Sequence, residues 1–129
     1  MLDTRTKIVD WETALRTVRE RRTAVVTGYF DPLLAAHARR LREIHAGFER
    51  VIVVLSDPPK PLLDAGARAE LVAALDMVDY VVLPQKRASS VEFERGAEVC
   101  VFREEEADEA RFERLVEHVH QRRRRAGSR

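Results

Sequence analysis

The residues best suited to chemistry lie between Thr27 and His37, where an apolar run of strand type ends and a helical pattern begins. His37 can bind a phosphate group, or it can be a helix residue without a ligand. Asp31 can orient the loop or coordinate a metal ion. The favoured interpretation is that it caps the following helix, with Pro32 in the first helical position. Since ligands of open α/β sheets bind beyond the carboxyl ends of the strands, this segment is expected to face the ligand crevice.

Two aromatic residues of the same segment, Tyr29 and Phe30, can flank a planar base, although core packing is the favoured interpretation for Phe30. Metal chemistry is less favoured. His118 and His120 are two residues apart, so they point to different faces of a helix and cannot hold one ion together. The spacing of cysteine and histidine is not that of a zinc site. The sequence therefore predicts no metal site.

The elements that must position these residues alternate between strands and helices. Apolar runs predict strands at residues 23–27, 51–55, 80–83 and 99–102, and helical spacing predicts helices at 11–21, 34–48, 65–76 and 108–123. This alternation predicts a Rossmann-like α/β domain, a three-layer fold with a parallel sheet flanked by helices. One domain is expected over residues 1–129, with 1–9 as an N-terminal extension and 124–129 as a disordered basic tail.

The apolar positions of the predicted helices are expected to face the core, because they recur at helical spacing. In the third helix and the segment after it, these positions are Leu71, Leu75 and Val78. In the last helix they are Phe112, Leu115, Val116 and Val119. Asp10 is expected to cap the first helix.

Composition limits the classes of function. The 129 residues are 45% hydrophobic, so one domain can bury a core, and 23 basic against 22 acidic residues give a net charge of +1. This balance gives no argument for nucleic-acid binding, and no apolar stretch approaches the roughly 20 residues that cross a bilayer. The single cysteine, Cys100, excludes an intrachain disulfide and fits a reducing cytoplasm.

Three motifs, in the same order, resemble the nucleotidyltransferase superfamily. Within it, the chain most resembles the sugar-phosphate adenylyltransferase domain of bifunctional heptose enzymes and the small cytidylyltransferases. The first motif is the turn from Thr27 to His37, the second is Ser56-Asp57 after the second predicted strand, and the third is the helical stretch from Arg68 to Leu75. The likeness covers roughly residues 7 to 83, and three ordered motifs are more specific than one.

The resemblance implies a reaction in which a substrate phosphate attacks the α-phosphate of ATP or CTP, with Mg²⁺, and pyrophosphate leaves. It implies that His37 is the catalytic residue and that Arg68 contacts the nucleotide. The alternative for Arg68 is that it is a solvated helix residue without a ligand. The nucleotide-binding residues would be Thr27, Gly28, Tyr29, Phe30, Asp31, His37 and Arg68. The substrate-binding residues would be Ser56, Asp57 and Lys60.

The chain departs from the family pattern His-x-Gly-His, which reads Leu34-Ala35-Ala36-His37 here. Leu34 replaces the first histidine and removes a phosphate donor, while the methyl group of Ala36 in place of glycine narrows the nucleotide site. The loop from Ser56 to Lys60 is shorter than the family's. The acidic run at 104–109 stands where the family has a Ser/Thr motif, and it is expected to repel a bound triphosphate.

Two functions remain open at this point. The favoured one is a nucleotidyltransferase-like protein that has lost efficient catalysis and is retained as a nucleotide-binding or interaction module, with a homodimer as one expected assembly. The alternative is an active enzyme that transfers AMP or CMP to a sugar phosphate or polyol phosphate. Both imply a nucleotide or a small phosphorylated molecule as ligand, rather than a membrane or a nucleic acid.

Overall fold

A computed structural model of the chain describes residues 3–18, 21–85 and 98–127. Within these residues, a short 3₁₀ turn at Thr4–Lys7 precedes four strands and four α-helices. In chain order these are α1 (Trp11–Thr17), β1 (Thr23–Gly28), α2 (Ala35–His45), β2 (Arg50–Leu55), α3 (Ala65–Ala73), β3 (Tyr80–Val82), β4 (Val99–Arg103) and α4 (Glu105–Gly127).

The four strands form one parallel sheet in the order β3-β2-β1-β4. The two central strands, β1 and β2, pair along their whole length, from Thr23 opposite Arg50 to Gly28 opposite Leu55. Parallel neighbours need crossover connections, and α2 and α3 supply them between β1, β2 and β3. The predicted parallel α/β fold is therefore confirmed.

The core is divided by the sheet into two apolar layers, because successive side chains of a strand point to opposite faces. On one face, Val26 and Val53 pack with Leu41 of α2 and Val72 of α3. On the other face, Val25 and Ile52 pack with Ala14 of α1 and with Val18 just after it. The strands read as continuous apolar runs because both faces are covered.

The N-terminal segment is held at the edge of the sheet, beside β3, by hydrogen bonds. The backbone N–H of Val9 donates to the carbonyl of Val81 at 3.0 Å, and Lys7 Nζ donates to the carbonyl of Leu75 at 3.0 Å. The next residue, Asp10, accepts the N–H of Thr13 at 2.8 Å and caps α1, as predicted. Residues 3–9, predicted as an extension, therefore pack beside β3.

Several helix positions differ from the sequence prediction. α3 buries Arg68, Ala69, Val72 and Ala73, so its exposed side includes Leu71, which is 45% exposed and was wrongly assigned to the core. α1 ends at Thr17, before the predicted end near residue 21; residues 19 and 20 lie outside the described residues. The periodicity of the sequence placed the apolar face of α3 about one residue away from the face that packs against the sheet.

The last helix shows the largest difference. α4 begins at Glu105, three residues earlier than predicted, because carboxylates in a first turn favour a helix N-terminus. It continues to Gly127 and so includes part of the predicted disordered tail; residues 128 and 129 lie outside the described residues. Its predicted inward residues Phe112, Val116 and Val119 are exposed. None of the helices over the described residues is long and apolar enough to cross a membrane.

Candidate functional site

The candidate site lies at the carboxyl ends of β1 and β4. The strand order changes direction between these two neighbours, since β1 leads to β2 on one side and meets β4 on the other. Open parallel sheets bind ligands at such switch points. The loop after β1 and the N-terminus of α4 meet there: the N–H of Glu104 donates to the carbonyl of Thr27 at 2.8 Å.

The turn after β1 is shaped by Gly28 and Phe30. Phe30 adopts a left-handed backbone conformation with φ of 47°, and its buried ring packs against the His37 ring at 5.0 Å between centroids. Core packing of Phe30 is therefore confirmed. Gly28 lies so close to α4 that a Cβ atom there would be 2.6 Å from Asp108 Oδ2. Only glycine allows this close approach without a shift of the neighbours.

The carboxylate of Asp108 lies at the centre of this turn. Its Oδ2 atom accepts the N–H of Tyr29 at 2.8 Å, and the N–H of Phe30 is 3.5 Å away. Its Oδ1 atom is 2.6 Å from His37 Nε2 and accepts from the Arg111 guanidinium at 2.9 Å. Backbone N–H groups, an imidazole and a guanidinium are also the donors that bind phosphate. A side chain of α4 thus accepts the hydrogen-bond donors of the turn after β1.

The protonation of His37 follows from its two hydrogen bonds. Its Nδ1 atom accepts the backbone N–H of Leu34 at 2.9 Å, so Nδ1 carries a lone pair and no proton. The proton of the neutral ring is then on Nε2, which donates it to Asp108 Oδ1. Both side chains are 3% exposed. The structure therefore holds His37 in one tautomer and turns its donor to the protein itself.

Two arginine side chains pair with carboxylates at the acidic start of α4. Glu104 Oε1 accepts from Arg40 Nε at 2.9 Å and lies 3.5 Å from the Arg111 guanidinium. Arg111 thus contacts both Glu104 and Asp108, and Arg40 ties them to α2. These two carboxylates, which belong to the acidic run noted in the sequence, take part in an ion network within the domain.

The pKa of the Tyr29 phenol depends on the burial of this turn and on the carboxylates near it. Partial burial raises the pKa of its phenol above the ordinary value, and the nearby carboxylates of Glu109, Glu105 and Asp108 raise it further. All these effects disfavour a new negative charge at this position. The neutral phenol is therefore favoured at this position.

Arg68 lies beneath the loops and not in a crevice, since its side chain is 1% exposed. Its guanidinium donates to the carbonyls of Tyr29 at 3.1 Å, Ser56 at 2.9 Å and Leu63 at 3.1 Å, and to Asp57 Oδ1 at 2.7 Å. The alternative of a solvated helix residue is therefore wrong. The structure places Arg68 as a bridge between the loops after β1 and β2, and its contact with a nucleotide stays a prediction.

Asp31 has a different role from the predicted helix cap. Its carboxylate accepts the N–H groups of Leu62 at 2.6 Å and Leu63 at 2.8 Å. Helix α2 begins only at Ala35, after an extended Leu34, so Asp31 is too far from the first turn to cap it. The His37 ring takes over part of that task, because it accepts the Leu34 N–H. The capping prediction is therefore wrong, and Asp31 joins two loops.

The predicted site residues divide between two cavities. A small cavity of about 90 Å³, on the face of α2 and α3, has Tyr29, Asp31, His37 and Lys60 in its wall, together with Leu34 and Phe112. A larger cavity of about 470 Å³, on the face of α1, is bounded by Trp11, Thr27, Ser56, Asp57, Gln85, Arg103 and Glu105. Over the described residues, the acidic, histidine and cysteine side chains form no group of three that could hold a metal.

Sequence reasoning missed the residues that organise this site: Asp108, Glu104, Arg111 and Arg40. The available signal was the spacing of 104, 108 and 111, which places all three on one face of a helix. The side-chain contacts of Asp108 and Glu104 with α2 and with the turn after β1 span 64 to 79 positions along the chain, so a single sequence contains no local sign of them.

The comparison with protein families agrees with this architecture. Residues 25–125 match the family model described as cytidylyltransferase-like, a range that runs from β1 through most of α4. No curated protein gives a significant match to the chain. The match covers most of the chain, including the switch point and the helix that carries Asp108. The chain therefore belongs to the cytidylyltransferase-like family.

Proposed function

We propose that this chain is a nucleotidyltransferase-like protein that has lost efficient catalysis and is retained to bind a nucleotide without turning it over. The observation that carries the proposal is the position of Asp108. Its carboxylate accepts the donors of Tyr29 and His37, at 2.8 and 2.6 Å, that a phosphate would need.

A phosphate can enter this turn only if the Asp108 side chain leaves it. Leaving would break the hydrogen bond to the Tyr29 amide and the buried contact with His37, and a phosphate that stayed beside the carboxylate would be repelled. Each broken bond to a charged group costs about 1.5–3 kcal/mol. This internal competition supports weak binding of the triphosphate at the motif.

The residue that replaces a motif histidine adds to this loss. Leu34, whose side chain borders the small cavity, offers no donor to a phosphate. Removal of one donor that stabilises a transition state costs on the order of 10²–10³ in rate. Together with Asp108, this substitution supports a catalytic rate too low to be useful.

The larger cavity supports retained binding. Its volume of about 470 Å³ falls in the range of small-molecule sites. Trp11 offers an aromatic surface, while Ser56, Asp57 and Gln85 offer polar groups at its border. This combination suits the base and ribose of a nucleotide better than its phosphates.

Trp11 makes the proposal directly testable, because it is the only tryptophan of the chain. We expect its fluorescence to change on titration with CTP, ATP or the corresponding nucleosides, with a similar dissociation constant for nucleoside and triphosphate. Pyrophosphate release should stay at background when Mg²⁺ and sugar phosphates or polyol phosphates are added.

Two results would contradict the proposal in different ways. Pyrophosphate release that His37→Ala abolishes would show an active nucleotidyltransferase. Unchanged Trp11 fluorescence and no heat in calorimetry at millimolar nucleotide would remove nucleotide binding altogether.

A further inference from the structure

The middle of α4 carries an apolar stripe that the described residues of the domain leave exposed. Phe112, Val116 and Val119 are 38%, 37% and 42% exposed, and Leu115 between them is half-buried. These four positions, which we call the α4 stripe, have the spacing i, i+3, i+4 and i+7 that forms one face of a helix.

This part of the helix receives little support from its own domain. The burial that fastens α4 to the sheet is at its start, where Asp108 is buried, whereas residues 116–123 are all exposed. Isolated helical segments of this length are marginal in water, and most helices owe their stability to a packed apolar face. The α4 stripe therefore needs a partner surface.

The distribution of charge along α4 indicates which partner fits. The first half is acidic, with Glu105, Glu106, Asp108, Glu109 and Glu113. Arg111 and Arg114 also lie in this half, which keeps a net negative charge, whereas the second half has one acidic residue, Glu117, and the basic run Arg122–Arg125. A second α4 in the antiparallel direction places the acidic half of each helix beside the basic half of the other, whereas a parallel pair places like charges together.

The stripe itself has the symmetry that such a pair requires. Phe112 and Val119 lie at equal distances from a point between Leu115 and Val116. A two-fold axis through that point brings Phe112 of one copy opposite Val119 of the other, so the same surface is complementary to itself. We propose that the chain forms a homodimer through the antiparallel pairing of two α4 helices along the α4 stripe.

The proposed dimer does not depend on nucleotide binding, so each of the two proposals can be tested independently of the other. The wild-type chain is expected to sediment as a dimer in analytical ultracentrifugation, and Val116→Arg, which places two like charges near the two-fold axis, is expected to give a monomer. Leu71→Arg is the matched control, because Leu71 is equally exposed but lies on α3. Circular dichroism should show that all three proteins are folded.

The direction of the pair is tested by disulfide crosslinking in a Cys100→Ser background, since Cys100 is the only natural cysteine. Phe112→Cys and Val119→Cys are expected to stay uncrosslinked alone and to form a covalent heterodimer when mixed, because a disulfide needs Cα atoms about 5.5–6 Å apart. A monomeric wild type, a dimer that Val116→Arg leaves intact, or crosslinking of Phe112→Cys with itself would overturn the proposal.

Discussion

The two faces of the sheet differ at its carboxyl edge, since one is closed by a side chain and the other is open. On the side of α2 and α3, the turn after β1 is filled by the Asp108 carboxylate, and a cavity of only about 90 Å³ remains. On the side of α1, the same edge is open, with a cavity of about 470 Å³ beside Trp11. The difference shows that a cytidylyltransferase-like fold can keep its sheet and switch point while one side of the edge is closed by a side chain of the same chain.

The largest effect is expected from Arg68→Ala, because Arg68 joins the closed side to the open one through Tyr29 and Ser56. The variant leaves buried carbonyl groups without donors and a cavity in the core. We expect a loss of about 4 kcal/mol in the free energy of unfolding, measured in urea. Asp57→Ala is the control, since this exposed partner should cost less than about 1 kcal/mol. Equal losses would mean that the ion pair, and not the carbonyl contacts, holds the two loops.

Removal of the carboxylate that closes the turn is expected to have the next largest effect. Asp108→Ala leaves the N–H of Tyr29 and the His37 ring without their buried acceptor, so we expect a loss of about 3 kcal/mol. The vacated turn should then bind inorganic phosphate or pyrophosphate, seen as a rise in Tm on addition of the anion.

The matched control for this variant is Asp108→Asn, which keeps the side-chain shape and fills the turn. It should show no phosphate-dependent rise in Tm. A rise in the wild type as large as that of Asp108→Ala would show that Asp108 does not compete with phosphate.

A methyl group at Gly28 tests how tightly the closed side is packed. A Cβ atom there would lie 2.6 Å from Asp108 Oδ2 and 2.8 Å from Phe30 Cε2, so Gly28→Ala should cost about 2 kcal/mol. The cost should be smaller in an Asp108→Ala background, because one of the two crowded atoms is then absent. A double-mutant cycle measures this coupling, and strict additivity would argue that the two residues do not press on each other.

The loop contact of Asp31 should contribute less. Asp31→Ala removes the acceptor for the N–H groups of Leu62 and Leu63, which lie in a partly exposed loop, so we expect a loss of about 1 kcal/mol. Asp64→Ala, which removes the cap of α3 a few residues away, gives a comparison of similar size. Loss of nucleotide-induced change in Trp11 fluorescence in Asp31→Ala would instead assign Asp31 to a ligand.

The smallest effect concerns the pH dependence of Tyr29. The pKa of its phenol is raised in the folded state, so the folded protein favours the neutral phenol. The free energy of unfolding is therefore at its full value below the ordinary pKa of the phenol and decreases as the pH rises through the raised pKa. An ultraviolet titration in a Tyr80→Phe background isolates this phenol, because the chain has two tyrosines. Glu109→Gln should lower the pKa of Tyr29, and no change would mean that the Glu109 carboxylate does not contribute to the raised pKa.

The sequence predicted the sheet better than the site, for a physical reason. Buried parallel strands such as β2 must be apolar along their whole length, so β2 could be read directly from residues 51–55. The exposure of Leu71 depends on how α3 rotates against the sheet, and the sequence contains no measure of that rotation. The role of Asp108 depends on contacts 71 and 79 positions away. Local patterns therefore singled out the turn after β1, but not the side chain of α4 that fills it.

The junction between β4 and α4 gives the last helix a mechanical property. Only Glu104 separates the strand from the helix, and its backbone bonds to Thr27 and Asp108 leave no hinge between them. A helix of 23 residues is about 34 Å long, so a tilt of about 5° at its base moves its far end by about 3 Å. Because strand and helix are joined directly, such a tilt of the helix requires the end of β4 to rotate with it.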